Sequence, residues 1–205
     1  MTKKLWILLA LGAGLITLTA DDCLTETKTI EVPVAFDTEY GFKAVDDNVD
    51  GDTSDSDFEI IDVRQELMDA EEDEDLEDYD LESAVLESGW WRVTNLLVGD
   101  ASLTISGTVT VTRLETGASA NLIDYSAVLV GDVLGEEYSL APLTMAGVEI
   151  LNDALADYID NRDNPPAITL RFDWAGTASD EPYNFCWDGL LKITITGLVE
   201  VDAPK

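Results

Sequence analysis

The sequence predicts a mainly β protein, an antiparallel β-sandwich of about seven strands of the Ig-like or Greek-key type. Most segments after residue 100 alternate apolar residues with Thr, Ser and charged residues, as expected when one face of a strand is buried and the other is wet. Gly- and Asp-rich connections join the segments, and only two segments have helical spacing. The helices are therefore predicted as insertions: one crossover helix and one short acidic helix or loop.

Seven segments are predicted as strands. In chain order they are TIEVPVAF, DFEIIDV, AVLESGWWRVTNLLV, SLTISGTVTVTRL, ANLIDYSAVLVGDV, AITLRFDW and LLKITITGLVEV. The first contains Pro33, which cannot donate a ladder hydrogen bond and therefore predicts an edge strand. In the third, Leu86 and Trp91 share a face only if the phase slips between them, and Gly89 is the expected position of that bulge.

Two segments have helical spacing. TMAGVEILNDALADYIDNRDNPP begins near Thr144 as the predicted N-cap and has the prolines as the stop signal. Its apolar stripe consists of Val148, Leu151, Leu155 and Tyr158. VRQELMDAEEDEDLEDYDLES begins with a plausible helical turn and continues as a run of like charges. Because like charges three and four residues apart destabilise a helix, we expect a short helix that gives way to a solvated acidic loop.

The first 20 residues predict a secretory signal peptide. Lys3 and Lys4 precede an uncharged apolar run over residues 5–18, which is short for a membrane span, and small residues follow it. We therefore expect a secreted protein, which would be periplasmic, cell-surface or extracellular after cleavage. A retained membrane anchor is the alternative.

The chain has two cysteines, Cys23 and Cys186. In an exported protein a pair of cysteines predicts a disulfide, which would bring the start of the mature chain close to its C-terminal part. Lipidation of Cys23 is not expected, because Asp21 and Asp22 stand where that processing needs small or apolar residues.

Residues 21–205 are predicted to form a single domain, with acidic loops at 41–57 and 69–82. The whole chain carries 43 acidic and 11 basic residues, a net charge of −32. Such a charge repels nucleic acid and anionic membranes, so the expected partner is a protein or polysaccharide at a cell surface. Self-association of the chain is a further possibility that the sequence does not decide. The acidity fits either cation binding or adaptation to high salt.

The composition excludes several catalytic classes. There is no histidine, which removes Ser-His-Asp and Cys-His catalysis and His-ligated zinc. These absences predict a protein that is not an enzyme. A carboxylate pair of the kind that cleaves glycosides is the remaining option, and Asp173 and Asp188 are its first candidates because both lie beside tryptophans. The alternative is that both are solvated residues at strand ends.

Trp90 is the candidate for an exposed ligand contact. Trp91, Trp174 and Trp187 are each in phase with apolar neighbours and are predicted to lie in the core. Trp90 points opposite to Trp91, and sugar-binding sandwiches present such aromatic faces to pyranose rings. Burial of Trp90 under a loop or helix is the alternative, because large aromatic side chains bury well.

Residues 46–57, DDNVDGDTSDSD, have the spacing of a calcium loop, which supplies oxygens from positions 1, 3, 5, 7, 9 and 12 and has glycine at position 6. The predicted ligands are Asp46, Asn48, Asp50, Asp52, Ser54 and Asp57. With Gly51 at the turn, this segment resembles the loop of EF-hand and dockerin modules, and the resemblance implies Ca²⁺ as a cofactor. The strand-like flanks depart from the paired-helix module, and an acidic linker is the alternative.

The order of strands and helices is similar to that of secreted bacterial β-sandwich proteins of undefined function, a resemblance that implies architecture and no activity. The sequence thus predicts a secreted, non-catalytic, Ca²⁺-binding module with a structural, adhesive or surface-associated role. One alternative is a carbohydrate-binding or glycoside-cleaving protein. Another is an assembly factor that pairs the edge strand containing Pro33 with a partner chain.

Overall fold

The computed structural model describes residues 25–46, 54–73, 79–180 and 182–204. These residues form two antiparallel four-stranded sheets and three helices, a mainly β arrangement that fits a β-sandwich. In chain order the elements are β1 (Thr25–Asp46), β2 (Ser54–Asp62), α1 (Val63–Asp73), β3 (Asp80–Val98), β4 (Thr104–Arg113), β5 (Ser119–Leu129), α2 (Val130–Val133), β6 (Ser139–Leu140), α3 (Met145–Asp160), β7 (Thr169–Ala178) and β8 (Tyr183–Pro204).

Sheet A has the strand order β1-β8-β3-β6, and sheet B has the order β2-β7-β4-β5. Each of the seven predicted segments contains a strand, and the additional strand is the two-residue β6. This order does not confirm the predicted Ig-like topology. β1 and β8 are 22 residues each and pair in one continuous register, from Thr25 opposite Pro204 to Asp46 opposite Tyr183. Both strands are therefore much longer than the segments that alternation predicted.

The core lies between the two sheets and is rich in aromatic side chains. Trp91, Trp174 and Trp187 are buried in it as predicted, with exposed fractions of 3%, 3% and 0%. Tyr40 stacks on Phe172 from the opposite sheet, with ring centroids 4.9 Å apart. Aromatic contacts of this kind across the two sheets stabilise the packing beyond the buried area alone.

β1 is an edge strand of sheet A, as Pro33 predicts. The phase slip in β3 is also present, but it lies between Leu86 and Ser88 instead of at Gly89. The Leu143 side chain packs directly on Gly89, and a Cβ there would lie 2.7 Å from it.

Both predicted helices form. The Thr144 hydroxyl caps α3 by accepting a hydrogen bond from Gly147 N at 3.2 Å. The helix α1 ends at Asp73, before a segment that lies outside the described residues. The prediction of an acidic loop at 41–57 is wrong for most of its length, because 41–46 and 54–57 are strand. The prediction of a loop at 69–82 is wrong at both ends, because 69–73 is helix and 80–82 is strand.

The strand register does not support the predicted disulfide. Cys23 lies outside the described residues, and within them the Cys186 thiol is unpaired. Cys186 is opposite Lys43, which is 18 residues further along β1 than Thr25. Extended strand of that length spans on the order of 60 Å, whereas the two residues from Cys23 to Thr25 reach about 7 Å. The two ends of the described part of the chain are neighbours, through the pairing of Thr25 with Pro204.

The predicted signal peptide, residues 1–20, lies outside the described part of the chain. Within the described part, each helix is too short or too polar to cross a membrane.

Candidate functional site

The predicted calcium ligands divide between described and undescribed residues. Asn48, Asp50, Asp52 and the side chain of Asp46 lie outside the described residues. Ser54 is the first residue of β2, and Asp57 lies within the same strand. The last four positions of the predicted loop are therefore strand, which differs from an EF-hand loop, whose final ligand precedes or begins a helix.

The Asp57 carboxylate already has backbone partners. Its Oδ2 accepts a hydrogen bond from Lys43 N at 2.9 Å, and its Oδ1 accepts one from Phe58 N at 2.8 Å. Among the described residues, no three acidic or cysteine side chains are grouped closely enough to hold a metal ion. Calcium binding at residues 46–57 stays a prediction from the sequence.

The structure places Asp173 and Asp188 on opposite outer faces of the fold. Asp173 lies between Phe172 and Trp174, which are both buried between the sheets, so its own side chain points outward from sheet B. Asp188 follows the buried Trp187 and points outward from sheet A. Packed sheets are about 10 Å apart, so outward carboxyls on both are further apart than a glycosidase pair allows. The two carboxylates are therefore not brought together as a pair.

Trp90 lies on the outer face of β3, within an apolar row that crosses sheet A. Its opposite residues are Leu190 in β8 and Leu140 in β6, and Leu190 is in turn opposite Glu39 in β1. Trp90 is half-buried, Leu140 is 64% exposed, and the Trp90 ring nitrogen donates a hydrogen bond to Ser88 Oγ at 2.9 Å. Cross-strand neighbours on one face are in contact distance, so these residues form one surface.

A charged group lies beside this row. Arg92 is one step along β3 on the same face, and its Nε lies 3.3 Å from Asp188 Oδ2, which also accepts a hydrogen bond from Thr94 Oγ1 at 3.2 Å. The guanidinium carbon lies 4.2 Å from the centre of the Tyr138 ring, and Nη1 donates to the carbonyl oxygen of Glu136 at 2.7 Å. Ion pair, stacked ring and carbonyl together hold Arg92 in one position.

We call this surface the outer patch. It consists of Glu39, Trp90, Arg92, Tyr138, Leu140, Asp188 and Leu190. Comparison with protein-family models, with curated proteins and with solved structures finds no match to this chain. The outer patch is therefore interpreted from its own chemistry.

The electrostatics of the outer patch are mixed. Partial burial raises the pKa of the Tyr138 hydroxyl above its ordinary value, and the nearby Arg92 guanidinium lowers it in part. The carboxylates of Glu39, Asp188 and Asp37 raise it further. Tyr138 is therefore a neutral hydroxyl at physiological pH, able both to donate and to accept a hydrogen bond.

The outer face of sheet B offers a different surface. Phe58 is 54% exposed, and the Arg171 guanidinium carbon lies 4.3 Å from the centre of its ring. Arg171 also donates from Nη2 to Asp173 Oδ1 at 2.6 Å. This arrangement has an aromatic ring and an ion pair, but the neighbouring β4 residues Thr108 and Thr110 are polar, so it lacks a continuous apolar row.

Two concave features lie elsewhere. A cavity of about 20 Å³ between the sheets is lined by residues including Phe36, Leu67 and Phe172, and it has room for about one water. An open groove of about 470 Å³ runs beside Asp80, Arg162 and neighbouring polar residues at the end of α3. Neither feature coincides with the outer patch.

Sequence reasoning found Trp90 but missed most of its neighbours. Leu140 and Tyr138 belong to a short segment with no strand pattern, and only pairing of β6 with β3 brings them to Trp90. Leu190 begins the last predicted strand and Asp188 lies two residues before it, but which strands pair with that strand is a long-range property. A short motif that could have indicated the site is the WWR sequence, since Trp90 and Arg92 share a face by alternation.

Proposed function

We propose that the protein is an exported, non-catalytic module with a structural or adhesive role, which attaches to a neutral polysaccharide through the outer patch. The observation that carries this proposal is the apolar row of Leu190, Trp90 and Leu140, flanked by a fixed guanidinium and a tyrosine. Apolar surface next to oriented polar groups is the usual composition of a ligand-binding surface.

The chemistry of this surface fits a sugar. The C–H face of a pyranose ring packs against an aromatic side chain, and its hydroxyls bond to planar charged groups. Arg92 and Asp188 are already held by Tyr138 and Thr94, so little side-chain freedom is lost when a ligand binds. A flat row across several strands also suits an extended chain of sugars more than a small enclosed molecule.

The charge of the chain favours a neutral ligand. The net charge of −32 repels anionic polymers at long range. Within the outer patch, the Arg92 charge is balanced by Asp188, and Glu39 and Asp37 add negative charge nearby. A polymer with sulfate or uronate groups would therefore meet repulsion.

Trp90→Ala tests the proposal. Binding of the purified chain to insoluble neutral polysaccharides is measured by co-sedimentation, and binding to their soluble oligosaccharides by calorimetry. The substitution should weaken binding by tenfold or more, on the order of 1.4 kcal/mol, which is typical of a central aromatic contact. Phe58→Ala is the matched control, because Phe58 is an exposed aromatic residue on the other sheet and should not matter.

Three results would overturn the proposal: no binding across the panel at millimolar concentration, equal loss in both variants, or preference for anionic polymers. Hydrolysis of a bound polysaccharide would contradict the non-catalytic part. The separation of Asp173 from Asp188 supports that part, because it removes the acid pair that the sequence suggested.

Calcium binding by residues 46–57 is a second part of the proposal and rests on the sequence spacing around Gly51. Calorimetric titration with Ca²⁺ should show binding in the range of about 10⁻⁴ to 10⁻³ M that is typical of extracellular modules, and Gly51→Ala should weaken it. Titration to several millimolar without heat or a shift in melting temperature would remove the ion from the proposal.

A further inference from the structure

Three alternate backbone N–H groups of β1 each donate a hydrogen bond to a carboxylate of β2. The three pairs are Gly41 N with Glu59, Lys43 N with Asp57 Oδ2 at 2.9 Å, and Val45 N with Asp55 Oδ2 at 2.6 Å. We call Asp55, Asp57 and Glu59 the carboxylate row. Hydrogen bonds from an amide to an ionised carboxylate are stronger than those between two neutral groups.

The carboxylate row takes the place of a neighbouring strand. Each step of two residues forward along β1 matches a step of two residues back along β2, as in an antiparallel pair. Yet β2 pairs through its backbone with β7, in the other sheet. Side chains therefore bridge two strands that belong to different sheets.

Two of the carboxylates use both oxygens for this bridge. Asp57 accepts from Lys43 N on β1 and from Phe58 N on its own strand. Asp55 does the same with Val45 N and with Ser56 N, the latter at 2.7 Å. This double use fixes the carboxylate plane between the strands.

The amides that the row occupies are those that a further strand would use. β1 is the edge of sheet A, and β8 lies on its other side. In an antiparallel ladder, alternate residues direct their N–H groups to opposite sides, so those of Gly41, Lys43 and Val45 point away from β8. Pro33 has the same phase in the same unshifted register, and it has no N–H at all.

We propose that the carboxylate row is an edge lock, which prevents β1 from pairing with β1 of a second copy of this chain. An unprotected antiparallel edge is self-complementary, so two copies related by a two-fold axis could join their A sheets into one. The row blocks this in two ways: it occupies the outward donors of Gly41, Lys43 and Val45, and two facing rows would bring like charges together. The edge that Pro33 marks is thus protected instead of offered to a partner.

The test replaces all three carboxylates by Asp55→Ala, Asp57→Ala and Glu59→Ala in one chain. Molar mass is measured by light scattering after size-exclusion chromatography over a range of protein concentrations. The unmodified chain should stay monomeric, and the triple variant should form a dimer whose fraction rises with concentration. A monomeric triple variant with native circular dichroism would overturn the edge lock.

A charge-matched control separates the lock from a general loss of repulsion. Glu82→Ala, Glu87→Ala and Glu149→Ala remove the same charge from exposed positions outside the carboxylate row. This control should stay monomeric. Dimerisation of the control to the same extent would show that net charge, and not the lock, keeps copies apart.

Lys43→Pro, added to the triple variant, tests which surface associates. It removes the central outward donor at a position with the same phase as Pro33, so it should restore the monomer. Unchanged dimerisation with this proline would place the contact elsewhere and refute the proposal.

A single substitution keeps the test open if the triple variant does not fold. Asp57→Ala removes the acceptor of the Lys43 and Phe58 amides but leaves the other two carboxylates of the row in place, so amide hydrogen exchange at Lys43 should become faster by on the order of tenfold. Exchange at Val45, which Asp55 still holds, should change little. Equal exchange at Lys43 with and without the Asp57 carboxylate would show that the row does not protect the edge.

Discussion

Raising the pH from about 9 to about 11 should destabilise the folded chain, because three buried tyrosines keep their protons only in the folded state. Tyr40, Tyr125 and Tyr158 are 3%, 4% and 2% exposed. Burial raises the pKa of all three hydroxyls, that of Tyr125 to about 12. The hydrogen bond that Tyr125 Oη accepts from Trp174 Nε1 at 2.6 Å lowers the latter value in part.

The size of the effect follows from the difference between folded and unfolded pKa values. An unfolded tyrosine ionises near pH 10, so at about pH 11 ionisation favours the unfolded chain by about 1.4 kcal/mol for each tyrosine that stays protonated when folded. The folded pKa is the higher one, so the stability contribution is complete below about pH 10 and is lost as the pH rises through 12. The three residues together predict a loss of about 4 kcal/mol by pH 11, against a typical total of about 5–15 kcal/mol.

Urea unfolding at about pH 9, 10 and 11 measures this loss, with tyrosinate absorbance as the probe of ionisation. Tyr40→Phe is the informative variant, because the Tyr40 hydroxyl has no hydrogen-bond partner among the described residues and the ring would keep its stacking on Phe172. It should remove about a third of the pH dependence without lowering stability at pH 9. Retention of the full dependence in Tyr40→Phe would refute the assignment to this residue.

Three further predictions concern the framework. Arg162→Ala should lower the free energy of unfolding, measured in urea, by about 3 kcal/mol, because Glu71 is 7% exposed and its Oε2 accepts a hydrogen bond from Arg162 Nη2 at 2.8 Å. A loss under about 1 kcal/mol would contradict a buried ion pair. Thr144→Ala should cost about 1 kcal/mol through loss of the α3 N-cap, and an unchanged urea midpoint would argue against it. Thiol titration of the unfolded, unreduced chain should count both cysteines as free, since the strand register separates Cys186 from the start of β1; absence of thiols would restore the disulfide.

The strands and helices could be predicted because burial repeats with the period of the local structure. Val109 and Val111 are fully buried, and Thr110 between them faces outward, as alternation requires. The stripe of Leu151, Leu155 and Tyr158 is buried on α3 for the same reason. Each of these depends on residues within a few positions of one another.

Strand partners could not be predicted, because pairing is decided between distant segments. The pairing of β1 with β8 separates Cys186 from the N-terminal end of β1, which argues against the disulfide. The same kind of long-range pairing places Leu140 beside Trp90 and puts Asp173 and Asp188 on different sheets. Periodicity predicts which side chains point outward, but it does not predict to which of the two sheets each of them belongs.

The acidic segment before α1 shows how polarity can hide a strand. Asp55, Asp57 and Glu59 alternate with Ser56 and two exposed apolar residues, which is a period of two, but the alternating positions facing the fold are charged. The sequence predicts strand only from Asp57 onward and leaves Asp55 in the acidic loop, because carboxylates at inward positions are costly unless they are hydrogen-bonded. Here the outward amides of β1 donate hydrogen bonds to these carboxylates, which offsets the free-energy cost of removing the carboxylates from water.

This use of the carboxylates also limits how calcium could bind. The Asp57 oxygen that accepts from Lys43 N is one that a bidentate ligand at position 12 would give to the ion. An ion that took this oxygen would open the central bond of the edge lock, whereas an ion held by residues before Ser54 would leave it closed. Exchange at the Lys43 amide therefore separates the two arrangements: faster exchange on adding Ca²⁺ means that Asp57 has left β1 for the ion.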